Sequence, residues 1–277
     1  MHLRSAHSPE AVARMNTAEL RRAFLIETLF APGTIDLTYW ETDRTIIGSA
    51  VPAGTPLPLE VSAQEMAAEF FLQRRELGII NLGGPGAVET DSTRHPLAPR
   101  DSLYVGRGVR SVVFHSEDAA NPARFFLISY PAHAVHPVTL TRVDDARKVP
   151  LGTAEKANVR TIYQQIHEAG ARSCQLVMGY TEMASGSVWN TFPPHTHQRR
   201  SEVYVYFDLP ADQAVMHLMG PGDETRHLVV RAGQAVLSPA WSIHSGCGTS
   251  AYRFVWAMGG ENQRFDDMDP VPVSQLR

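Results

Sequence analysis

Residues 193–202 read Pro193-Pro194-His195-Thr196-His197-Gln198-Arg199-Arg200-Ser201-Glu202, and the spacing inside this stretch decides the fold class. His195 and His197 are two apart, so on a β-strand both side chains point to one face. Glu202 has the wrong parity to continue that face on an unbroken strand. The run 198–201 is polar enough to turn, and a turn lets the next strand bring the carboxylate back. His244 closes the set from a third strand, because W-S-I-H-S-G (241–246) follows an apolar segment at 234–237 and the strand-ending Pro239. An isolated H-x-H is commonplace in a chain with 12 histidines; the added Glu202 and His244 carry the metal reading. Three neutral imidazoles and one carboxylate suit a divalent ion such as zinc, manganese, iron or nickel, and leave positions for water or substrate. Spacing does not choose among these metals.

Outward from this stretch, the glycines and prolines fall where a cupin barrel places them. Gly186 precedes the histidine pair, and Gly233, Pro239 and His244 follow the order of the second cupin motif. Trp241 stands where many cupins have glycine. It puts a large aromatic either at the mouth of the site, against a ligand, or in the core.

The rest of the chain has the texture of short strands punctuated by Gly, Pro and Asp. In the first half the candidates are 34–40, 44–50, 77–82, 102–105, 111–115 and 124–130. In the second half they are 159–163, 175–182, 203–207, 215–219, 226–230, 235–237 and 252–258. Such regular short strands argue for an all-β fold of barrels or jelly-roll sandwiches with a few short helices. One helix is expected near the start, where Leu20, Phe24 and Phe30 recur on one face and Thr17 is the N-cap. A second is expected over 62–75, with Ser62 and Glu65 as a capping box. The polar stretch 141–156 marks a boundary between two β-rich halves: 1–150, a degenerate barrel with the helical start, and 151–277, the metal-binding barrel. This is a bicupin with chemically unequal halves. His95, His115, His133 and His136 of the first half do not reproduce the H-x-H, Glu, His set and read as structural or surface residues. Arg94, Arg100 and Arg107 are the weaker alternative of a second ligand site there.

Composition narrows the function. The formal net charge is −4, and no basic run is long enough to suggest nucleic acid. Arg199 and Arg200 are only a pair, and R-R-E from Arg74 is a charge-balanced cluster. No apolar run approaches about 18 residues, and the N-terminus M-H-L-R-S-A-H-S is polar, so a cytoplasmic protein without membrane contact is expected. Cys174 and Cys247 lack C-x-x-C spacing and read as small packing residues in a reducing compartment.

Longer strings resemble a particular enzyme family. R-R-E-L-G-I-I-N-L-G-G, R-D-S-L-Y-V-G-R-G, W-N-T-F-P-P-H-T-H-Q-R-R-S-E-V-Y-V-Y-F, M-G-P-G-D-E-T-R-H, S-P-A-W-S-I-H-S-G and M-G-G-E-N-Q are similar to the 4-deoxy-L-threo-5-hexosulose-uronate ketol-isomerases, also called 5-keto-4-deoxyuronate isomerases. The likeness runs from near Leu20 to D-D-M-D and covers nearly the whole chain. It implies a bicupin fold, one zinc ion per subunit, a homohexamer and a role in using unsaturated uronates released from pectin and related polysaccharides. The family's zinc ligands fall on His195, His197, Glu202 and His244, and Trp241 agrees with the family's own W-S-I-H.

The implied reaction turns a 2-hydroxy aldehyde into a hydroxymethyl ketone, which needs an acid and a base beside the metal. Tyr204 shares the inward face of Glu202 and is a candidate acid or oxygen-positioning group, the alternative being a barrel-core tyrosine. Glu261, in G-G-E-N-Q, is a candidate base or else a surface loop residue. The substrate carboxylate calls for arginine; Arg226 and Arg199 are the candidates, with subunit contacts or plain surface as the alternative. The rival functions are an Fe(II) cupin dioxygenase, which shares the ligand set, and a non-catalytic sugar-acid-binding cupin, which has no need of a Lewis acid.

Overall fold

The strand Arg200–Phe207 is buried at all of its positions, and its two faces carry different chemistry. Val203, Val205 and Phe207 alternate with Glu202, Tyr204 and Tyr206. Its antiparallel neighbour Arg253–Gly260 sets Met258 opposite Glu202, Trp256 opposite Tyr204 and Phe254 opposite Tyr206. One face of this pair is therefore aliphatic, and the other gathers aromatics around a carboxylate. In the computed structural model, which describes residues 1–277, this pair sits in a seven-stranded sheet. Its order is Arg147–Leu151, Arg160–Ile166, Val177–Met183, Arg253–Gly260, Arg200–Phe207, Ala235–Ser238 and Leu25–Ile26. A four-stranded sheet built on Val215–Met219 accompanies it, and His217 of that strand bonds the Tyr206 hydroxyl at 2.7 Å. Gly233, at φ +80, makes the positive-φ turn that leads into Ala235–Ser238.

The chain divides into two units of closely similar construction. The first comprises residues 1–4, 29–146 and 165–177; the second comprises 5–28, 147–164 and 178–277. The helical start thus belongs to the second unit, where the sequence suggested the first. Its tie is strand pairing, Leu25 opposite Val236 and Ile26 opposite Ala235. Within the first unit a seven-stranded and a four-stranded sheet enclose an apolar core that includes Leu77, Ile79, Leu103, Phe114, Phe125 and Leu127. The cupin-like, mostly β architecture with few short helices is the fold expected.

Two local expectations change. The first helix, Thr17–Phe24, is capped by Asn16 rather than Thr17: the Asn16 side chain accepts from Glu19 N–H while the Glu19 carboxylate accepts from Asn16 N–H. The second is only Ala63–Met66. Ser62 caps it as expected, but Ala67 turns left-handed at φ 45, and Arg74 caps the carbonyls of Met66 and Ala67. Phe71 and Leu72 are then free to bury in the core. The strands Gly86–Thr90 and Thr93–Leu97 were not foreseen.

The charge-balanced R-R-E cluster turns inward after its first residue. Arg75 is 7% exposed and Glu76 is fully buried. Glu76 lies on the strand face opposite Leu77 and Ile79, and accepts from the Tyr104 hydroxyl at 2.8 Å and from the backbone N–H groups of Cys174, Gln175 and Leu176 at 2.6–2.9 Å. Every donor in that set is neutral and fixed.

Candidate metal centre

His195, His197, Glu202 and His244 converge. Their donor atoms lie within 4.8 Å of one another, and they form the only such grouping of histidine, cysteine and acidic side chains in the chain. His195 Nε2 is 3.1 Å from His197 Nε2 and 3.0 Å from His244 Nε2; Glu202 Oε2 is 3.0 Å from His197 Nε2 and 2.9 Å from His244 Nε2. Glu202 comes from the start of its long strand, as expected. The histidine pair comes from the two-residue strand His195–Thr196, which pairs with Asp269–Pro270, and His244 immediately precedes the strand Ser245–Gly248.

The chemistry of this donor set fits a cation. His197 Nδ1 is 2.6 Å from the Asp267 carbonyl oxygen, which can only accept, so Nδ1 carries a proton and Nε2 faces the cluster. Burial, then the neighbouring imidazoles of His244 and His197, push His195 down to about 2, so this ring is neutral. Burial by itself raises the Glu202 carboxyl, but attraction and hydrogen bonds from His244 and His197 outweigh it and hold the group well below the usual carboxylate range. Three imidazoles and an ionised carboxylate aimed at one point are the donor set that a divalent cation takes.

The cluster lies on the wall of a cavity of about 300 Å³, at the lower end of the size range of small-ligand sites, roughly 300–1,000 Å³. The inward face of the large sheet supplies much of that wall: Arg160, Ile162, Thr181, Tyr204, Phe254 and Trp256. Gly179 lets the Trp256 ring pack close against the sheet, since a Cβ there would come within 2.6 Å of that ring and 2.0 Å of the Tyr163 carbonyl. A larger cavity, about 570 Å³, opens in the first unit. It holds no histidine–carboxylate cluster, and Arg74 and Arg75 on its wall are committed to backbone carbonyls, so the smaller cavity is the candidate site.

Tyr204 lines this cavity, with its hydroxyl 3.0 Å from Thr191 Oγ1. Burial, reinforced by the Glu202 charge, raises its phenol well above the ordinary value, so it keeps its proton. The other four candidates lie outside the lining. Arg226 donates to the carbonyls of Val12, Ala13 and Met15 and ties down the N-terminal segment of its own unit. Arg199 pairs with Asp267 and Asp269. By fastening Asp267 it steadies the segment whose carbonyl orients His197. Trp241 donates its indole N–H to the His7 carbonyl and packs edge-on against Phe24, as a core aromatic does. Glu261 is exposed, with its backbone N–H bonded to Arg199 O.

In the first unit His95 bonds Thr90, and His115 lies 3.6 Å from Glu89. Arg107 holds the carbonyls of Gln73 and Ala132. Neither that arginine nor Arg94 and Arg100 line the first unit's cavity.

Two β-barrel units, one with a three-histidine, one-glutamate cluster on a cavity wall, define a bicupin with a potential metal centre. Comparison with known proteins narrows this class. The chain belongs to the KduI/IolB family, whose model matches residues 32–271, and within it to the 4-deoxy-L-threo-5-hexosulose-uronate ketol-isomerases. It is 53% identical to the protein of that name from Kineococcus radiotolerans over 100% of both chains, and 53% identical to that from Formosa agariphila over 99% of this chain and 98% of the other. It is accordingly an enzyme, an isomerase. Among solved structures it resembles an IolB-like protein from Salmonella typhimurium (TM-score 0.71, 14% identity, 87% of this chain and 94% of the other). The oxalate decarboxylase of Lactobacillus farciminis is also similar (TM-score 0.57, 11% identity, 86% and 88% covered). At such identities these two speak for the fold alone.

Proposed function

We propose that the chain is a zinc-dependent aldose–ketose isomerase that converts 5-dehydro-4-deoxy-D-glucuronate, also called 4-deoxy-L-threo-5-hexosulose uronate, to 3-deoxy-D-glycero-2,5-hexodiulosonate. The step serves the catabolism of pectin and other uronates, in the cytoplasm and as a homohexamer. The observation that carries this reading is the convergence of His195, His197, Glu202 and His244 on the wall of a cavity beside Tyr204. Full-length similarity to enzymes named for this substrate supports the choice of sugar acid.

His195, His197, Glu202 and His244 would hold the zinc ion, which when bound would supply Lewis acidity without redox chemistry of its own. Asp267, through its carbonyl, keeps the His197 Nε2 lone pair turned to the centre. Tyr204 presents a protonated phenol fixed by Thr191 and donates a hydrogen bond to the substrate oxygen on which negative charge grows. The apolar wall of Phe254, Trp256 and Ile162 excludes water and suits the deoxygenated carbon of the sugar. In the reaction the C2 proton passes to a base while O1 takes up a proton, giving the enediol; O2 then gives up its proton as C1 takes one, leaving a C2 ketone and a C1 alcohol with no net change in protons.

The test follows the C1 aldehyde of the substrate by NMR with zinc-loaded and chelated protein. Loss of the aldehyde signal in the zinc sample alone is expected, with one solvent deuterium entering C1 in D2O. An unchanged aldehyde with zinc bound refutes the assignment, and substrate-dependent oxygen uptake by an iron-loaded sample would replace it with a dioxygenase.

A further inference from the structure

We propose that Arg160 is the residue that grips the carboxylate of the substrate, at the end of the cavity away from the histidine–glutamate cluster. The proposal rests on the sugar-acid reading above and assigns its anionic end. Arg160 opens the strand Arg160–Ile166, opposite Leu151 of the edge strand, and shares the cavity-facing side with Ile162 two residues on. Among the residues lining the cavity it is the only arginine or lysine. The only acid there, Glu202, already lies against His197 and His244.

The guanidinium has one protein partner, the Asn158 carbonyl, which Nη1 reaches at 2.8 Å. It has no carboxylate partner, so the remaining N–H groups of the fork are available to a ligand. Burial pulls Arg160 below the ordinary arginine value, with Tyr204 and Tyr252 acting the other way. A cation set into an apolar wall without an anion gains more from a bound carboxylate than a solvated surface arginine does. The neighbouring arginines are engaged: Arg199 with Asp267 and Asp269, and Arg200 with the carbonyls of Arg264, Phe265 and Asp267.

The sheet fixes the separation. Two strands, Val177–Met183 and Arg253–Gly260, stand between the strand of Arg160 and that of Glu202. At about 4.8 Å per step this places the two strand axes roughly 14 Å apart. A long arginine side chain and an extended six-carbon acid span that gap with C1 and C2 at the cluster and C6 at the guanidinium. A shorter hydroxy acid does not reach both.

The experiment uses the full chain loaded with zinc, with Arg160→Gln and Arg160→Lys beside wild type. Calorimetric titration compares two non-reactive probes: the substrate with its aldehyde reduced to the alcohol, and the same compound with C6 converted to the amide. Wild type is expected to bind the acid about 10- to 100-fold more tightly than the amide. Arg160→Gln should bind both alike, and Arg160→Lys should keep part of the preference, with zinc content and melting temperature unchanged in both. In turnover, Arg160→Gln should raise KM by a similar factor, with a smaller change in kcat. An undiminished acid preference in Arg160→Gln, or none in wild type, overturns the proposal. Wild-type protein that prefers the acid but never isomerises the aldehyde overturns the functional reading and leaves the carboxylate site standing.

Discussion

Each unit buries a carboxylate near the start of the corresponding strand of its large sheet, and the two are held in opposite ways. Glu76 in the first unit is enclosed by three backbone N–H groups and a tyrosine hydroxyl. Glu202 in the second lies against two imidazoles whose nitrogens converge with a third. Backbone donors cannot leave, so Glu76 is complete as it stands and works as a structural pin. Imidazole nitrogens can turn their lone pairs to a cation, so the Glu202 set is completed only by something from outside. Burial of charge is common to both; what separates structure from function is whether the partners are exchangeable.

Several variants sharpen or break this contrast. Glu202→Ala should lower isomerase activity by about 10⁴-fold, equivalent to about 5.5 kcal/mol, with zinc lost by metal analysis. In chelated samples its unfolding midpoint should stay near that of wild type. Glu76→Ala strands three buried N–H groups and should cost about 3–5 kcal/mol of stability in urea unfolding, while the folded fraction still binds zinc. If the two alanine variants exchanged these outcomes, the contrast would collapse.

Tyr204→Phe keeps the ring packing and removes the hydroxyl next to Thr191. A fall in kcat of about 100-fold with zinc retained is the outcome expected of a positioned acid; wild-type kcat would return Tyr204 to the core.

Acid should destabilise the second unit through His217, which burial pushes from 6.5 down to about 3. Its folded value lies below its unfolded one, so the unfolded chain takes up the proton first. The stabilisation is present above pH 6.5 and is lost as pH falls toward 3, by about 2 kcal/mol at pH 5. His217→Gln should flatten the pH dependence of the urea midpoint, and an unaltered slope would assign it to other groups. The smallest change is expected from Arg199→Ala, whose half-exposed pairs with Asp267 and Asp269 are screened by solvent. Its readout is zinc affinity, since the segment it fastens carries the carbonyl that orients His197.

How much of this was legible in the sequence depended on distance along the chain. The convergence of His195, His197, Glu202 and His244 was readable because their spacing brings the first three together across one turn, and a proline-ended strand delivers His244. The β texture was readable from alternation, although alternation alone did not tell which face of Arg253–Gly260 meets the site; the register opposite Glu202 and Tyr204 decides that. Arginines chosen by charge were poorly placed because their partners leave no mark in composition. Three backbone carbonyls engage Arg226. Arg160, in an ordinary strand remote from the ligands, gave no local signal, and sheet order alone brings it to the cavity. Glu76 gave no signal for the same reason, since nothing in the R-R-E run marks the backbone of residues 174–176 that donates to it.

The pairing of Leu25–Ile26 with Ala235–Ser238 has a consequence for biosynthesis. The edge strand Leu25–Ile26 leaves the ribosome 210 residues ahead of the start of its partner at Ala235. At roughly 5–20 residues per second, the interval between them is on the order of 10–40 s. Through that time an apolar segment of buried destiny has no strand to join, and it offers an open edge to any other nascent chain.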